Sequence, residues 1–382
     1  MLRMRDLITH CIREVLTRIV YGLSYIIPTR KILVFHSFPD YADNPYALYK
    51  HVIEHPKYND YKKVWILTNP TESLIQYMRM QNKDVVVSHS VLKNWYYVLI
   101  ARYIFSSHNA YGYLRFRQPH KLITLWHGMP LKKIGRDHSN GQKCNAGTIT
   151  TIASSSFFRS KMASAFGLSI DKVWMVGQPR IDLLFEKSAV YDLLTRDKQY
   201  KSVGIWMPTF RQSQDGGLRD ADMPQGEFNY WDGQTLEKIN NYLSETSNFL
   251  ILKLHPADKL QAQCYRSFSH IAILKNNDLF PSEAYQLIGN TDWLLTDYSS
   301  VCVDYEVLGK PMAFLLSDQT EYCKNRGMYI DINQLPGKII HNLDDLKDFI
   351  SDPNKYLVDN GAFFNAFKDA NNCERLLQKL LL

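Results

Sequence analysis

Short runs rich in β-branched and aromatic residues recur along this 382-residue chain, and most are separated by enough sequence for a crossover helix. That alternation constrains the fold more than any other feature. Strands joined by crossovers of a dozen or more residues run parallel, and a parallel sheet needs helices over both faces. The first set of predicted strands is Lys31–Phe35, Lys63–Leu67, Asp84–Val87, Tyr103–Phe105, Leu122–Leu125, Thr148–Ile152 and Val173–Val176. After the turn Gly177-Gln178-Pro179-Arg180 the pattern restarts with Ser202–Trp206, Phe249–Leu252, Ile271–Leu274, Trp293–Leu295 and Met312–Leu315. The expected fold class is α/β, with two Rossmann-like domains facing across a cleft. The N-terminal domain is expected over residues 29–186 and the C-terminal domain over 187–382. The last helix has the option of packing back on the N-terminal domain.

Residues 1–28 read as a separate amphipathic helix. Met4, Leu7, Ile8, Cys11, Ile12, Val15, Leu16, Ile19, Val20, Leu23 and Ile27 recur at helical spacing, and Pro28 ends the pattern. Arg3, Arg13, Arg18 and His10 fall mainly elsewhere on the wheel. Arg13, Glu14 and Arg18 interrupt the apolar run, so neither a spanning helix nor a cleavable signal peptide is expected. A basic amphipathic helix suits an in-plane anchor on an anionic membrane surface. That would place the protein peripherally on the cytoplasmic face of the cell membrane. Packing against its own domain is the competing role.

The charge balance fits an anionic ligand. Lys and Arg number 45 against 38 Asp and Glu, a formal charge of +7. No Lys/Arg block or RNA-binding signature accompanies it, so no nucleic-acid partner is expected. The cysteines Cys11, Cys144, Cys264, Cys302, Cys323 and Cys373 are scattered without a CxxC pair, which argues against structural zinc and a disulfide framework.

Ligands of open α/β sheets bind at the carboxyl ends of strands. Several short segments place polar side chains there. Trp126-His127-Gly128-Met129-Pro130-Leu131-Lys132 follows the strand Leu122–Leu125. Gly128 permits a sharp turn, so the His127 imidazole can either take a proton from an attacking hydroxyl or simply pin the turn. Lys253 and His255 share one face by the period of two, at the end of Phe249–Leu252, where both can meet a diphosphate. Thr296-Asp297-Tyr298-Ser299-Ser300 joins a strand to a helix start, which makes either an anion site or a plain N-cap through Asp297 or Ser299. Arg211, closing Met207-Pro208-Thr209-Phe210-Arg211, can clasp phosphate in a bidentate fork; Arg180 and Arg326 offer weaker versions of the same contact. Loops Gly135 to Gly147 and Gln212 to Gly233 are expected to act as mobile lids. There is no GxxxxGK[ST], HExxH or GxSxG segment, and no acidic pair at a strand end to chelate a metal. A metal-independent reaction without cofactor is expected.

In order along the chain, these segments resemble the CDP-glycerol glycerophosphotransferase family, the teichoic-acid primases and polymerases with their capsule-synthesis relatives. The resemblance also rests on Tyr41-Ala42-Asp43-Asn44-Pro45 with Leu48-Tyr49, Gly177–Asp182, Asp304-Tyr305, Lys310-Pro311, Asp318, Glu321-Tyr322 and Arg326-Gly327. It spans residues 31–375. Pro39-Asp40 stands where the family often has Gly-Lys, and Val303 where an aromatic is common.

The resemblance implies a GT-B-like fold. It implies transfer of a polyol phosphate, glycerol phosphate in the first instance, from CDP-glycerol or a related CDP-polyol. The acceptor would be a hydroxyl of a lipid-linked or polymeric cell-surface glycan, and CMP would leave. The family's essential histidines match His127 and His255, with His127 as general base. Arg211, Lys253, Asp297, Ser299 and Ser300 would hold the donor, with Lys132, Arg180 and Arg326 as further substrate contacts. The competing reading is a GT-B glycosyltransferase using a nucleotide-sugar donor in cell-surface polysaccharide synthesis. A non-catalytic membrane-bound scaffold is the third.

Overall fold

The computed structural model describes residues 2–116, 119–138, 149–196, 199–209, 233–254, 267–275, 278–316 and 327–380. The chain divides into two compact units. One comprises Met1–His127, Gly135–Asp182 and Asn371–Leu382; the other comprises Gly128–Ile134 and Leu183–Ala370.

The first unit is built on strands β1 (Arg30–His36), β2 (Lys62–Ile66), β3 (Val86–Ser88), β4 (Ala101–Ser106), β5 (Lys121–Thr124), β6 (Ile149–Ala153) and β7 (Val173–Met175). They pair in the order β3-β2-β1-β4-β5-β6-β7, every pair parallel. Central strands are apolar on both faces, as a covered parallel sheet requires; Leu33, Val34 and Phe35 are fully buried. Helices α1 (Leu2–Ile26), α2 (Asp43–Glu54), α3 (Glu72–Gln81), α4 (Val91–Ile100) and α5 (Ser156–Phe166) connect or flank the strands. Thr71 and Ser155 cap α3 and α5 by accepting the Leu74 and Phe158 amides, and Gly167 ends α5 at φ +61°.

The C-terminal helix Asn372–Lys379 also belongs to this unit. Asp182 fixes its first turn, accepting the amides of Asn372 (2.9 Å) and Cys373 (2.8 Å) and the Asn372 side-chain amide (2.7 Å). Helix α1 rests on the unit through buried Thr17, Val20 and Ser24, with the Thr17 hydroxyl donating to the Tyr113 carbonyl at 2.9 Å.

The second unit carries β8 (Ser202–Met207), β9 (Asn248–Lys253), β10 (Ile271–Leu274), β11 (Trp293–Thr296), β12 (Met312–Leu315) and β13 (Lys338–Ile340), in the parallel order β10-β9-β8-β11-β12-β13. Its helices are α6 (Ala189–Thr195), α7 (Gly233–Glu245), α8 (Ala284–Asn290), α9 (Val301–Tyr305) and α10 (Leu343–Ser351). Trp206, Leu243, Leu252, Trp293 and Phe349 centre one face of its core. Gly204 lies opposite Trp293 in the β8–β11 register, and a Cβ there would stand 2.2 Å from the indole ring. The segment Gly128–Ile134 joins this unit by an antiparallel bridge between Lys132 and Met328, with the Lys133 amide donating to the Gly327 carbonyl at 3.0 Å.

Two strand expectations change. The run Asp84–Val87 is strand only from Val86, because Asn82 accepts the Asp84 and Val85 amides and holds the start as a turn. Strand β13 was not expected: three residues after Gly337 give too short a pattern to register.

Candidate functional site

In each sheet the strand order reverses beside the first strand of the set: between β1 and β4 in the first unit, and between β8 and β11 in the second. Such switch points open a crevice at the carboxyl ends of the strands.

At the first switch point, β1 delivers His36, β4 runs on into Ser107 and His108, and β5 runs on into Trp126 and His127. Trp126 turns the chain at φ +53° and Gly128 continues at φ +131°, so the backbone bends on both sides of His127. Positive φ is costly for a bulky residue and persists only where the surroundings enforce it. Asn44, fully buried at the start of α2, supplies that enforcement. Its side-chain amide donates to the carbonyls of Leu125 (3.1 Å) and Trp126 (3.0 Å), and its oxygen accepts the Arg180 amide at 3.0 Å.

His127 is an exposed residue. It stacks on His108 with centroids 4.8 Å apart at 21°, and lies 4.2 Å from the Trp126 ring. Its Nδ1 meets the Ser107 carbonyl at 3.4 Å. Its pKa is held below the ordinary imidazole value. Displaced water is the main cause, His108 and Arg180 add to it, and Asp43 and the Ser107 carbonyl oppose it. The exposure of the residue softens the first effect without changing the direction. His127 is therefore neutral at pH 7 and able to accept a proton.

Arg180 is 5% exposed, and its guanidinium pairs with Asp43 at 2.8 Å. A buried pair of this kind ties the turn after β7 to α2. It places Arg180 in the support of the His127 loop, and the phosphate contact expected from sequence gains nothing from this geometry.

At the second switch point, Asp297 follows β11 and accepts the Thr209 amide (3.0 Å) and hydroxyl (2.7 Å), joining the ends of β8 and β11. The Thr296 hydroxyl reinforces the junction by donating to the Met207 carbonyl at 2.7 Å. Asp297 is thus not a helix cap. Ser299 takes that place weakly, its hydroxyl accepting the Val301 amide at 3.4 Å, while Ser300 makes no capping bond. Both serines are half-buried at the start of α9. Lys253 ends β9, the neighbour of β8, and its crowded surroundings draw the amine down to about 8. Lys132 sits on the segment bridged to Met328. Lys253, Asp297, Ser299 and Ser300 are thereby gathered at the carboxyl ends of neighbouring strands. His255, Arg211 and Arg326 lie outside the described residues, as do residues 212–232 and 139–147 of the two expected lids.

Sequence reasoning quoted Asn44 within the Tyr41–Pro45 segment without giving it a role, and passed over Ser107, His108 and His36. The rule that selected His127, a polar residue just past a strand, also selects Ser107-His108 after Tyr103–Phe105. The partners of Asn44 are distant in sequence, so its neighbours along the chain do not reveal its role.

A family model described as CDP-Glycerol:Poly(glycerophosphate) glycerophosphotransferase matches residues 19–382. The chain is 25% identical to a teichoic acid glycerol-phosphate transferase of Staphylococcus aureus (strain NCTC 8325 / PS 47), over 93% of this chain and 94% of that protein. It is also 25% identical to a teichoic acid glycerol-phosphate primase of Bacillus subtilis (strain 168), over 98% of each. Among solved structures, a variant of the wall teichoic acid polymerase TagF superposes with a TM-score of 0.71 at 20% identity, covering 92% of this chain and 89% of that one. That likeness is one of fold.

Proposed function

Because the chain belongs to the CDP-glycerol:poly(glycerophosphate) glycerophosphotransferase family, we propose that it moves glycerol phosphate from CDP-glycerol to a hydroxyl of a lipid-linked or polymeric cell-surface glycan, releasing CMP. The observation that carries the reading is the near full-length family match, joined to a neutral, partly open His127 at a switch point. In this reading the two parallel-sheet units are the halves of a GT-B-like enzyme. The unit carrying His127 takes the acceptor, and the unit carrying Lys253, Asp297, Ser299 and Ser300 takes the donor.

The acceptor oxygen attacks the β-phosphorus of CDP-glycerol in line. The new P–O bond forms as the bond to the bridging oxygen breaks, and CMP carries that oxygen away. The hydroxyl proton passes to His127 Nε2. Phosphoryl transfer draws its rate mainly from positioning and electrostatics. Lys253 and the α9 amides supply positive potential for the diphosphate, and Asp297 holds the β8 and β11 ends that present them. His255, Arg211 and Arg326 complete the donor contacts, and Lys132 adds a cation on its segment.

Helix α1 is read as the membrane contact. Val15, Ile19 and Ile26 are 57%, 51% and 80% exposed, with Arg18 on the same accessible side of the helix. Among the described residues no helix is long and apolar enough to cross a membrane. A peripheral position on an anionic cytoplasmic leaflet suits this pattern.

The deciding assay incubates purified protein with CDP-glycerol, CDP-ribitol and nucleotide sugars beside candidate glycan acceptors, and weighs the products by mass spectrometry. CMP release with an acceptor gain of one or more glycerol-phosphate units is expected. Nucleoside diphosphate release from a sugar donor, without CMP from any CDP-polyol, overturns the proposal. Co-sedimentation with anionic vesicles, lost in Ile19→Glu, tests the helix.

A further inference from the structure

We propose that Ser107 and His108 are positioning residues that set the tautomer of His127 and stack on its ring, leaving Nε2 as the basic nitrogen. The proposal rests on reading His127 as the proton acceptor for the attacking hydroxyl.

Ser107 acts through two different groups. Its backbone carbonyl lies 3.4 Å from His127 Nδ1. A carbonyl can only accept, so Nδ1 carries the ring proton and the lone pair is left on Nε2. Its hydroxyl accepts the Phe38 amide at 3.1 Å and lies 2.7 Å from His108 Nδ1. With one lone pair engaged, the hydroxyl proton is free to point at Nδ1, which makes His108 an acceptor there and a neutral ring protonated on Nε2. The Ser106 hydroxyl donates to the His108 carbonyl at 2.7 Å and fixes the turn between them. Phe38 also packs on His108, its ring nearly perpendicular at 87° with centroids 5.6 Å apart.

The stacked rings resist charging together. At 4.8 Å, two imidazolium cations repel with little water between them. Among the described residues, the other charged and titratable groups facing the pair are few. Asp43 on α2 and Arg180 after β7 neutralise one another in their ion pair, and His36 at the end of β1 is itself kept neutral by burial, with Asp40 beside it. His108 is thus the neighbour whose removal changes the proton affinity of His127 most directly. At neutral pH His108 contributes a stacked ring without charge; as pH falls, His108 charges before His127 and then opposes protonation of the ring stacked on it.

The test uses the full-length protein with ¹³C,¹⁵N-labelled histidine, and assigns His127 by the resonance missing from His127→Asn. In the wild type, ¹⁵N shifts are expected to report the Nδ1–H form, against the Nε2–H form that predominates in free histidine. In His108→Gln the His127 pKa is expected to rise by about one unit, a tenfold gain in proton affinity. The acidic limb of kcat/KM for CMP release should move to higher pH by the same amount. His108→Phe keeps a stacked ring and should give a smaller rise; it serves as the second variant if the Gln protein does not fold. Ser107→Ala should loosen His108 and lower kcat with the KM for CDP-glycerol unchanged. An Nε2–H wild-type His127, or a His127 pKa unmoved in folded His108 variants, overturns the proposal. Full turnover in His127→Asn instead overturns the general-base reading, while the tautomer and pKa measurements still judge the positioning claim separately.

Discussion

Asn44→Ala removes a fully buried side chain that makes three hydrogen bonds, to Leu125, Trp126 and Arg180. A hydrogen bond contributes roughly 0.5–1.5 kcal/mol net, and a buried group left without a partner costs more. The sum is about 3 kcal/mol for the first unit. Trp126 enlarges the functional effect. Its φ of +53° is strained, and strain of this kind amounts to roughly 1–3 kcal/mol when the surroundings no longer hold it. Without the Asn44 amide the bend relaxes and carries His127 with it, so turnover should fall at least tenfold with donor affinity nearly unchanged. The stability arm is read by hydrogen exchange with mass spectrometry, because a chain of two units gives no single unfolding free energy. Peptides from β1, β4 and β5 should exchange about a hundredfold faster, as about 3 kcal/mol requires where exchange follows the opening equilibrium. Peptides from β9 and β11 serve as the internal reference. Exchange within twofold of wild type in β4 and β5, together with unchanged turnover, would refute the assignment of Asn44 as the clamp on this loop.

Three further outcomes are expected. Asp297→Ala leaves the buried Thr209 amide and hydroxyl without their acceptor, and should destabilise the second unit by about 2–4 kcal/mol; a double-mutant cycle with Thr209→Val that shows no coupling would contradict it. Gly204→Ala drives a methyl group into Trp293 and should cost roughly 1–3 kcal/mol, seen as faster exchange in β8 and β11. Glu374, bonded first to Lys57 and then to Gln378 and His51, has its carboxyl held down at about 2. Its contribution is therefore complete above the ordinary value of 4.5 and fades as pH falls through 2. Glu374→Gln should accordingly loosen the C-terminal helix at pH 7, and the difference from wild type should shrink steadily on acidification below about 4.5. A difference that grows on acidification would reverse the sign of the argument.

What the sequence made legible follows from the range of the interactions involved. Leu33–Phe35, Leu250–Leu252 and Trp293–Leu295 are unbroken apolar runs because their strands are covered on both faces, so a local pattern reveals a global arrangement. His127 was legible for a similar reason, since a strand end followed by glycine is local. The same rule, applied with equal weight to Tyr103–Phe105, would have brought Ser107 and His108 into the candidate site. The ion pair of Arg180 was not legible because its partner Asp43 lies 137 positions away, and a lone arginine after a proline looks the same whether it meets a phosphate or a buried carboxylate. The role of Asn44 was hidden more deeply still. Its role consists wholly of bonds to backbone atoms at Leu125, Trp126 and Arg180, and a backbone amide or carbonyl leaves no residue signature in a sequence. Candidate site residues at strand ends are therefore easier to read than the polar groups that hold them. A search for further site residues in this fold should begin from buried Asn and Ser at strand and helix ends, before exposed Arg and Lys.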